Sequence, residues 1–438
     1  MKPYAIEAVH ARRIYDSRAN PTIEVEVVLA GGTTGRGMVP SGASTGKFEA
    51  LELPDGDSHF GGKGVAQALH NVNEVLGPAM IGLDARDQRQ IDARLISLDG
   101  TPNKSKLGAN AILGCSLAAC YAAANYEHQP LYRYLGGAMA NTIPVPMVQI
   151  IGGGAHAANA IDIQDFLVIP ISTKSFAEGY AMVAETYLAA KKLFQESGRP
   201  VSIADEGGFW PTAFKSNEDG LRLLTESIEQ AGYCPGKDLG IALDIASSEF
   251  FNEKTGTYTL SLEDREYTPA QFIDLLCDWV ARYPIVSIED GTGELDWDGC
   301  RLLTERLGRR IQIVGDDLFT TNIERIRRGV SEKCCNAVLI KMNQIGTITE
   351  TMEAISYTKS HGYLPVISAR SGETEDATIV HLAIASGAGQ LKVGSAARSE
   401  RTAKWNEAIR IEEALGASAY YPSQKIFLDS CISKFNIR

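Results

Sequence analysis

PMVQII (146–151), FLVIPI (166–171), IALDI (241–245), IVSIED (285–290), IQIVGDD (311–317), AVLIKM (337–342), LPVISA (364–369) and QLKVGS (390–395) are the runs on which the fold turns. Each is short, apolar and rich in β-branched residues, the composition of a buried strand. From residue 241 onward, stretches with helical periodicity and a charged face separate them, such as PAQFIDLLCDWVARY (269–283) and TETMEAISYTKSHG (349–362). Strands alternating with helices predict βα units and a parallel sheet, and eight such strands predict a closed (β/α)₈ barrel. One more run, PVSIAD (200–205), lies between two helix-like stretches and exceeds that count; it reads as a loop on the catalytic face.

Upstream of the barrel the pattern is mixed. IEVEVVLAG (23–31) alternates like a half-buried strand, while LGANAILGCSLAACYAAAN (107–125) is Ala-rich and helical. Gly136-Gly137, followed by Pro144 and Pro146, marks a boundary, so the expected organisation is a smaller α+β domain over 1–138 and a barrel domain over 139–438.

With 438 residues the chain can bury a large core, and 44% hydrophobic with 22% charged residues is the composition of an ordinary globular protein. A net charge of −12 supplies no basic field for nucleic acid or an anionic membrane. No apolar run approaches the roughly 18–20 residues that span a bilayer. The first residues, MKPYAIEAVHARRIYDSR, carry charges throughout and no apolar signal-like segment. The eight cysteines show no CxxC spacing, so the expectation is a cytoplasmic protein with reduced thiols and no zinc site.

The chemistry is written at the strand ends. Asp244, Glu289, Asp316, Lys341 and Lys392 close strand candidates, and Arg370 follows another. In a barrel those ends converge on one mouth, where such folds place their active sites. Three carboxylates brought together repel unless a divalent cation neutralises them, and an all-oxygen set points to a hard ion, Mg²⁺ beside a substrate anion. A cation and the second lysine near Lys341 would lower its pKa into the range of a general base. With Arg370–Ser371 as an anion site, the set fits removal of a proton α to a carboxylate. SGASTGKFEA (41–50) is not a phosphate loop, because Gly42 and Gly46 enclose three residues and Phe48 follows Lys47. The glycines at 152–154 signal only a turn.

ARRIYDSRANPTIEVEV, VPSGASTGKFEALELPDGD, NKSKLGANAILG, ADEGGFWP, IALDIASSEF, VSIED, VGDDLFTTN, LIKMNQIGT, SARSGETED and KVGSAARSERTAKWNEAIRIEE together resemble the motifs of enolases, in the same order, from about residue 11 to 413. The resemblance implies a barrel that begins ββαα before six βα units, which accounts for the extra run at 200–205. It implies a homodimer or an assembly of dimers acting in glycolysis, converting 2-phosphoglycerate to phosphoenolpyruvate with two Mg²⁺ per site. A Lys or His base working with Mg²⁺ is the pattern of the enolase superfamily. By motif position, Asp244, Glu289 and Asp316 would hold the first ion, and Ser41 would join the second with the substrate phosphate. Lys341 would be the base and Glu206 the acid for the departing hydroxyl. Arg370 and Ser371 would bind phosphate, Lys392 the carboxylate, and His156 and Gln164 would line the pocket.

The departures from the family pattern cluster. Asp165 stands where the family has Glu beside the leaving group, and Ala369 where it has a pocket His. Lys47-Phe48 replaces Glu-His in the lid, Gly152 replaces the Asn of NGG, and Gly291 replaces the Pro of IEDP. Two further readings therefore accompany the hydratase: a diverged paralogue acting on a related phospho- or phosphono-carboxylate, such as one forming carboxyphosphonoenolpyruvate, and a non-catalytic binding protein.

Overall fold

A computed structural model describes residues 2–43, 45–198 and 200–429, so the last nine residues of the expected barrel domain and Ser44 of the lid lie outside the described residues. Strands β1 (Ile6–Tyr15), β2 (Pro21–Leu29) and β3 (Thr34–Met38) form an antiparallel sheet in that order. Ile23, Val25, Val27 and Leu29 alternate along β2 and are wholly buried. The Ala-rich helix Ala109–Tyr126 packs against β2 and β3. It comes so close that a Cβ on Gly35 would stand 2.0 Å from the Ala122 amide nitrogen and one on Gly37 2.5 Å from Leu117 Cβ. Glycine is what permits that approach.

The barrel begins with β4 (Val145–Gly152) and β5 (Asp165–Pro170), then two helices, Phe176–Glu196 and Glu218–Gln230, and β6 (Leu239–Asp244). A small antiparallel sheet follows, of β7 (Phe251–Asn252), β8 (Thr257–Leu260) and β9 (Arg265–Tyr267). The remaining barrel strands are β10 (Ile285–Glu289), β11 (Gln312–Gly315), β12 (Ala337–Ile340), β13 (Leu364–Ser368) and β14 (Gln390–Ser395). They close in the order β10-β11-β12-β13-β14-β4-β5-β6. Strand β5 runs antiparallel to both neighbours, and the other pairings are parallel. This is the ββαα(βα)₆ order, and it corrects the all-parallel barrel that strand and helix spacing alone predicts. Residues 200–205 are a loop, with Ile203 making only an isolated bridge to Phe209.

Strand parity carries the charges inward. Val145 and Met147 of β4, Leu167 and Ile169 of β5, Ala242 of β6, Val314 of β11 and Ala337 and Leu339 of β12 share one interior cluster. The alternate residues Val148, Val168, Leu243, Ile313, Val338 and Ile340 instead join the larger cluster beneath the helices. Stepping by two from the interior set reaches Gln149, Asp165, Asp244, Asp316 and Lys341. Because β5 is reversed, Asp165 at its start lies at the same end of the barrel as Asp244 at the end of β6, and the two are register partners. Among the described residues no helix is long and apolar enough to cross a membrane.

Candidate active site

A cavity opens at this end of the barrel, lined by His156, Gln164, Asp165, Glu206, Asp244, Lys341, Arg370, Ser371 and Lys392, with Gly42 and Ala43 of the lid and Ala369. Lys392 Nζ donates to Asp244 Oδ2 at 2.6 Å and to both Glu289 oxygens at 2.8 and 2.9 Å. Burial works against the Lys392 ammonium, but Asp244, Glu289 and Asp165 outweigh it and hold the pKa well above the usual value. Lys341 Nζ reaches Asp316 Oδ2 at 2.5 Å, and Gln344 Nε2 holds the other Asp316 oxygen at 2.8 Å.

The lowered Lys341 pKa is expected of a site that holds a cation; the ion pair with Asp316 sets the opposite direction here. Burial lowers it, but Asp316 at contact distance raises it more, and the net shift is upward. Arg370 and Lys392 act to lower it, and Glu289 adds to the raising by Asp316.

The leaving-group side is a second cluster. His156, Asp165 and Glu206 are all buried and present atoms within 4.8 Å of one another. Burial lifts Asp165 to about 6, assisted by the charge of Glu206 and opposed by Lys392. Burial would lift Glu206 too, but His156, Arg401 and the two lysines hold it below the ordinary carboxylate value. His156 Nδ1 and Gln164 Oε1 are buried without a hydrogen-bond partner. Gln164 Nε2 donates to Asp244 Oδ2 at 3.1 Å. Unpaired buried polar atoms facing a polar cavity are what a polar substrate would satisfy.

The anion end is set by Arg370 and Ser371. Arg370 Nη1 donates to Glu49 Oε2 at 2.8 Å and to Asn343 Oδ1 at 3.0 Å. Ala43 of the lid donates its amide to Ser371 Oγ at 2.7 Å. Behind both stands Arg401, wholly buried, whose guanidinium donates to the carbonyls of Arg370 and Ser371 at 2.6 and 2.5 Å. Sequence reading passed over Arg401 and Glu49, although both fall within quoted motifs. Ser41 does not belong to this lining: it pairs with Gly372, its hydroxyl donates to Asp16 Oδ2 at 3.0 Å and receives Arg18 Nη2 at 3.2 Å.

Both lid departures contact the barrel domain. The Lys47 amide donates to Glu294 Oε2 at 3.0 Å, and its ammonium pairs with Glu253, in the turn after β7, and Glu294. The Phe48 ring centroid lies 3.7 Å from Arg325 Cζ, a cation–π contact. Lys47→Glu would set like charges against Glu253 and Glu294. We expect the KM for substrate to rise roughly threefold at low salt and the difference to shrink at high salt, as for an exposed pair. Steady-state kinetics at two ionic strengths would read this, and a salt-independent KM equal to wild type would count against the contact.

The donor set fits a hard divalent cation. Asp165, Asp244 and Glu289 gather around Lys392, Asp316 pairs with Lys341, and burial followed by repulsion from Asp244 raises Glu289 well above its usual pKa. The adjacent group Asp290, Asp316 and Asp317 also brings carboxylates together. Both Asp290 oxygens there already accept the amides of Asp316 and Asp317 at 2.9 Å, which leaves Asp316 facing Lys341.

Comparison with known proteins agrees with this geometry. The family described as "Enolase, N-terminal domain" matches residues 6–135, and "Enolase, C-terminal TIM barrel domain" matches residues 140–429. The chain is similar to Enolase 1 of Desulfitobacterium hafniense (strain Y51), with 68% identity over 427 residues, covering 98% of each chain.

Proposed function

The chain belongs to the enolase family, and from that premise we propose that it eliminates water from 2-phosphoglycerate to give phosphoenolpyruvate, a carbon–oxygen lyase reaction. The observation that carries the reading is the division of one cavity into a lysine–carboxylate half and a His156–Asp165–Glu206 half. The identity of 68% over nearly the whole of a relative called Enolase 1 favours this reading over a diverged paralogue or a non-catalytic binding protein.

In this proposal Asp244, Glu289 and Asp316 would hold Mg²⁺. The bound ion supplies positive charge where the substrate carboxylate takes up the electron pair of the broken C–H bond. Lys341 Nζ accepts the C2 proton. Burial, Arg370 and Lys392 act to lower its pKa towards that of a base, against Asp316 and Glu289, which raise it. Lys392 neutralises the substrate carboxylate from the opposite side. Glu206 hands a proton to the C3 hydroxyl as it departs: the negative charge of the bound substrate opposes the lowering that His156, Arg401 and the lysines impose on it, and Asp165, lifted to about 6, lies beside it. Arg370 and Ser371 hold the phosphate, and Glu49, Asn343 and Arg401 fix their orientation. Ser41 would be the protein ligand of a second Mg²⁺, and its hydroxyl, engaged here by Asp16 and Arg18, would have to release them to serve. A small phosphorylated carboxylate is the substrate class. Cytoplasmic location and a dimer-based assembly are proposed on the family alone.

Mg²⁺ should raise the melting temperature of the free protein, because a ligand that binds only the folded state stabilises it by about 2.7 kcal/mol at a hundred times its Kd. Excess EDTA should reverse the shift. A melting curve insensitive to Mg²⁺ up to millimolar concentrations would remove the metal from this account and favour the binding-protein reading.

A further inference from the structure

We infer that Gln149 positions Asp165 for the elimination half of the reaction. The inference rests on the reading that Asp165 serves the leaving group.

Gln149 faces the barrel interior from β4 and is wholly buried, in a strand otherwise made of apolar residues, proline and glycine. A buried amide must satisfy both of its ends. The Gly208 amide donates to Gln149 Oε1 at 2.9 Å. Since a backbone N–H can only donate, this contact fixes which end of the amide is oxygen. The nitrogen end then donates to Asp165 Oδ1 at 2.5 Å. The other Asp165 oxygen lies 3.5 Å from Lys392 Nζ, so both carboxylate oxygens are assigned a direction.

Space around the amide has been cleared on two sides. A Cβ on Gly152 would stand 3.1 Å from Gln149 Nε2, and one on Gly208 2.5 Å from Oε1 and 2.9 Å from Cδ. Two of the departures from the enolase pattern therefore meet at one side chain. Gly152, in place of Asn, leaves room for the Gln149 amide. Asp165, in place of Glu, ends one carbon short of a longer acid, and the Gln149 amide reaches it there. Gly208 also lies two residues from Glu206 in ADEGG, so the same amide ties the Asp165 carboxylate to the loop that carries the neighbouring acid.

A merely structural glutamine would lower all activities together when replaced. A positioning residue acting through Asp165 moves only the elimination. Gln149→Met is expected to lower kcat for phosphoenolpyruvate formation about 10- to 100-fold, the scale of an approximately 1 Å misplacement. Exchange of the C2 proton of 2-phosphoglycerate into deuterated water should stay within about threefold of wild type, on the premise that Gln149 does not act on Lys341. In an Asp165→Ala background the same change should cost less than about threefold, since residues acting as a unit are not additive. Gln149→Asn keeps a polar interior if Met proves unfoldable, and should show the same loss. Combined with Asp165→Glu it should recover at least about tenfold, because the carbon removed from one side chain is returned on the other. Equal losses of exchange and elimination, full additivity with Asp165→Ala, or no rescue in Gln149→Asn/Asp165→Glu would each overturn the inference. If Asp165→Ala itself leaves elimination unchanged, the role of Asp165 fails and takes the inference with it. An impaired Asp165→Ala beside a wild-type Gln149→Met would overturn the role of Gln149 alone.

Discussion

Lys341→Ala should lose both phosphoenolpyruvate formation and C2 proton exchange, each by a factor on the order of 10³–10⁴, the range for removing a positioned general base. Lys341 ends the interior face of β12, after Ala337 and Leu339, and its amine reaches the cavity beside Asp316. Among the described residues that line the cavity the other lysine is Lys392, locked between Asp244 and Glu289 with its pKa well above normal. Removing Lys341 also frees Asp316 from its ion pair, so Mg²⁺-dependent thermal stabilisation should persist. That shift separates a missing base from a collapsed site. Exchange retained within tenfold of wild type would show that another group abstracts the proton.

Glu206→Gln should separate the two half-reactions. Product formation is expected to fall roughly 10²–10³-fold, the contribution of a general acid, with C2 exchange within a few-fold of wild type. The geometry behind this is the split of the cavity: Glu206 is within 4.8 Å of His156 and Asp165, and its Oε1 lies 3.7 Å from His156 Nε2. Gln keeps the size and one hydrogen-bonding oxygen but has no carboxyl proton to transfer. Parallel loss of exchange and elimination would mean that Glu206 serves proton abstraction instead, and the assignment of halves would be reversed.

Much of this site was readable before any coordinates. Asp244, Glu289, Asp316 and Lys341 were legible because each follows or closes an apolar β-branched run, and period-two alternation then sends it inward. What the pattern did not carry was strand direction. FLVIPI alternates the same way read forwards or backwards, so spacing alone predicts a parallel β5, which would set Asp165 at the far end of the barrel from Asp244. The resemblance supplied the reversal, and pairing with Asp244 shows why it matters. Gln149 was hidden inside PMVQII, where one polar residue in a core strand drew no comment. Its parity with Val145 and Met147 was the available signal. Arg401 was hidden in a different way: RSERTAKWNE reads as a solvated helix face, yet Arg401 is wholly buried and bonded to three backbone carbonyls. The direction of the Lys341 shift needed the distance to Asp316, which no sequence gives.

The most direct measurement is made on the unaltered protein. With 2-phosphoglycerate and Mg²⁺ in deuterated water, the ultraviolet absorbance of the enol phosphate and the deuterium at C2 are followed together. A complete two-step hydratase built around Lys341 and the Gln149-held Asp165 predicts both signals, with product accumulating in step with exchange. Deuterium at C2 without absorbance would contradict it, because the leaving-group half would then not work on this substrate.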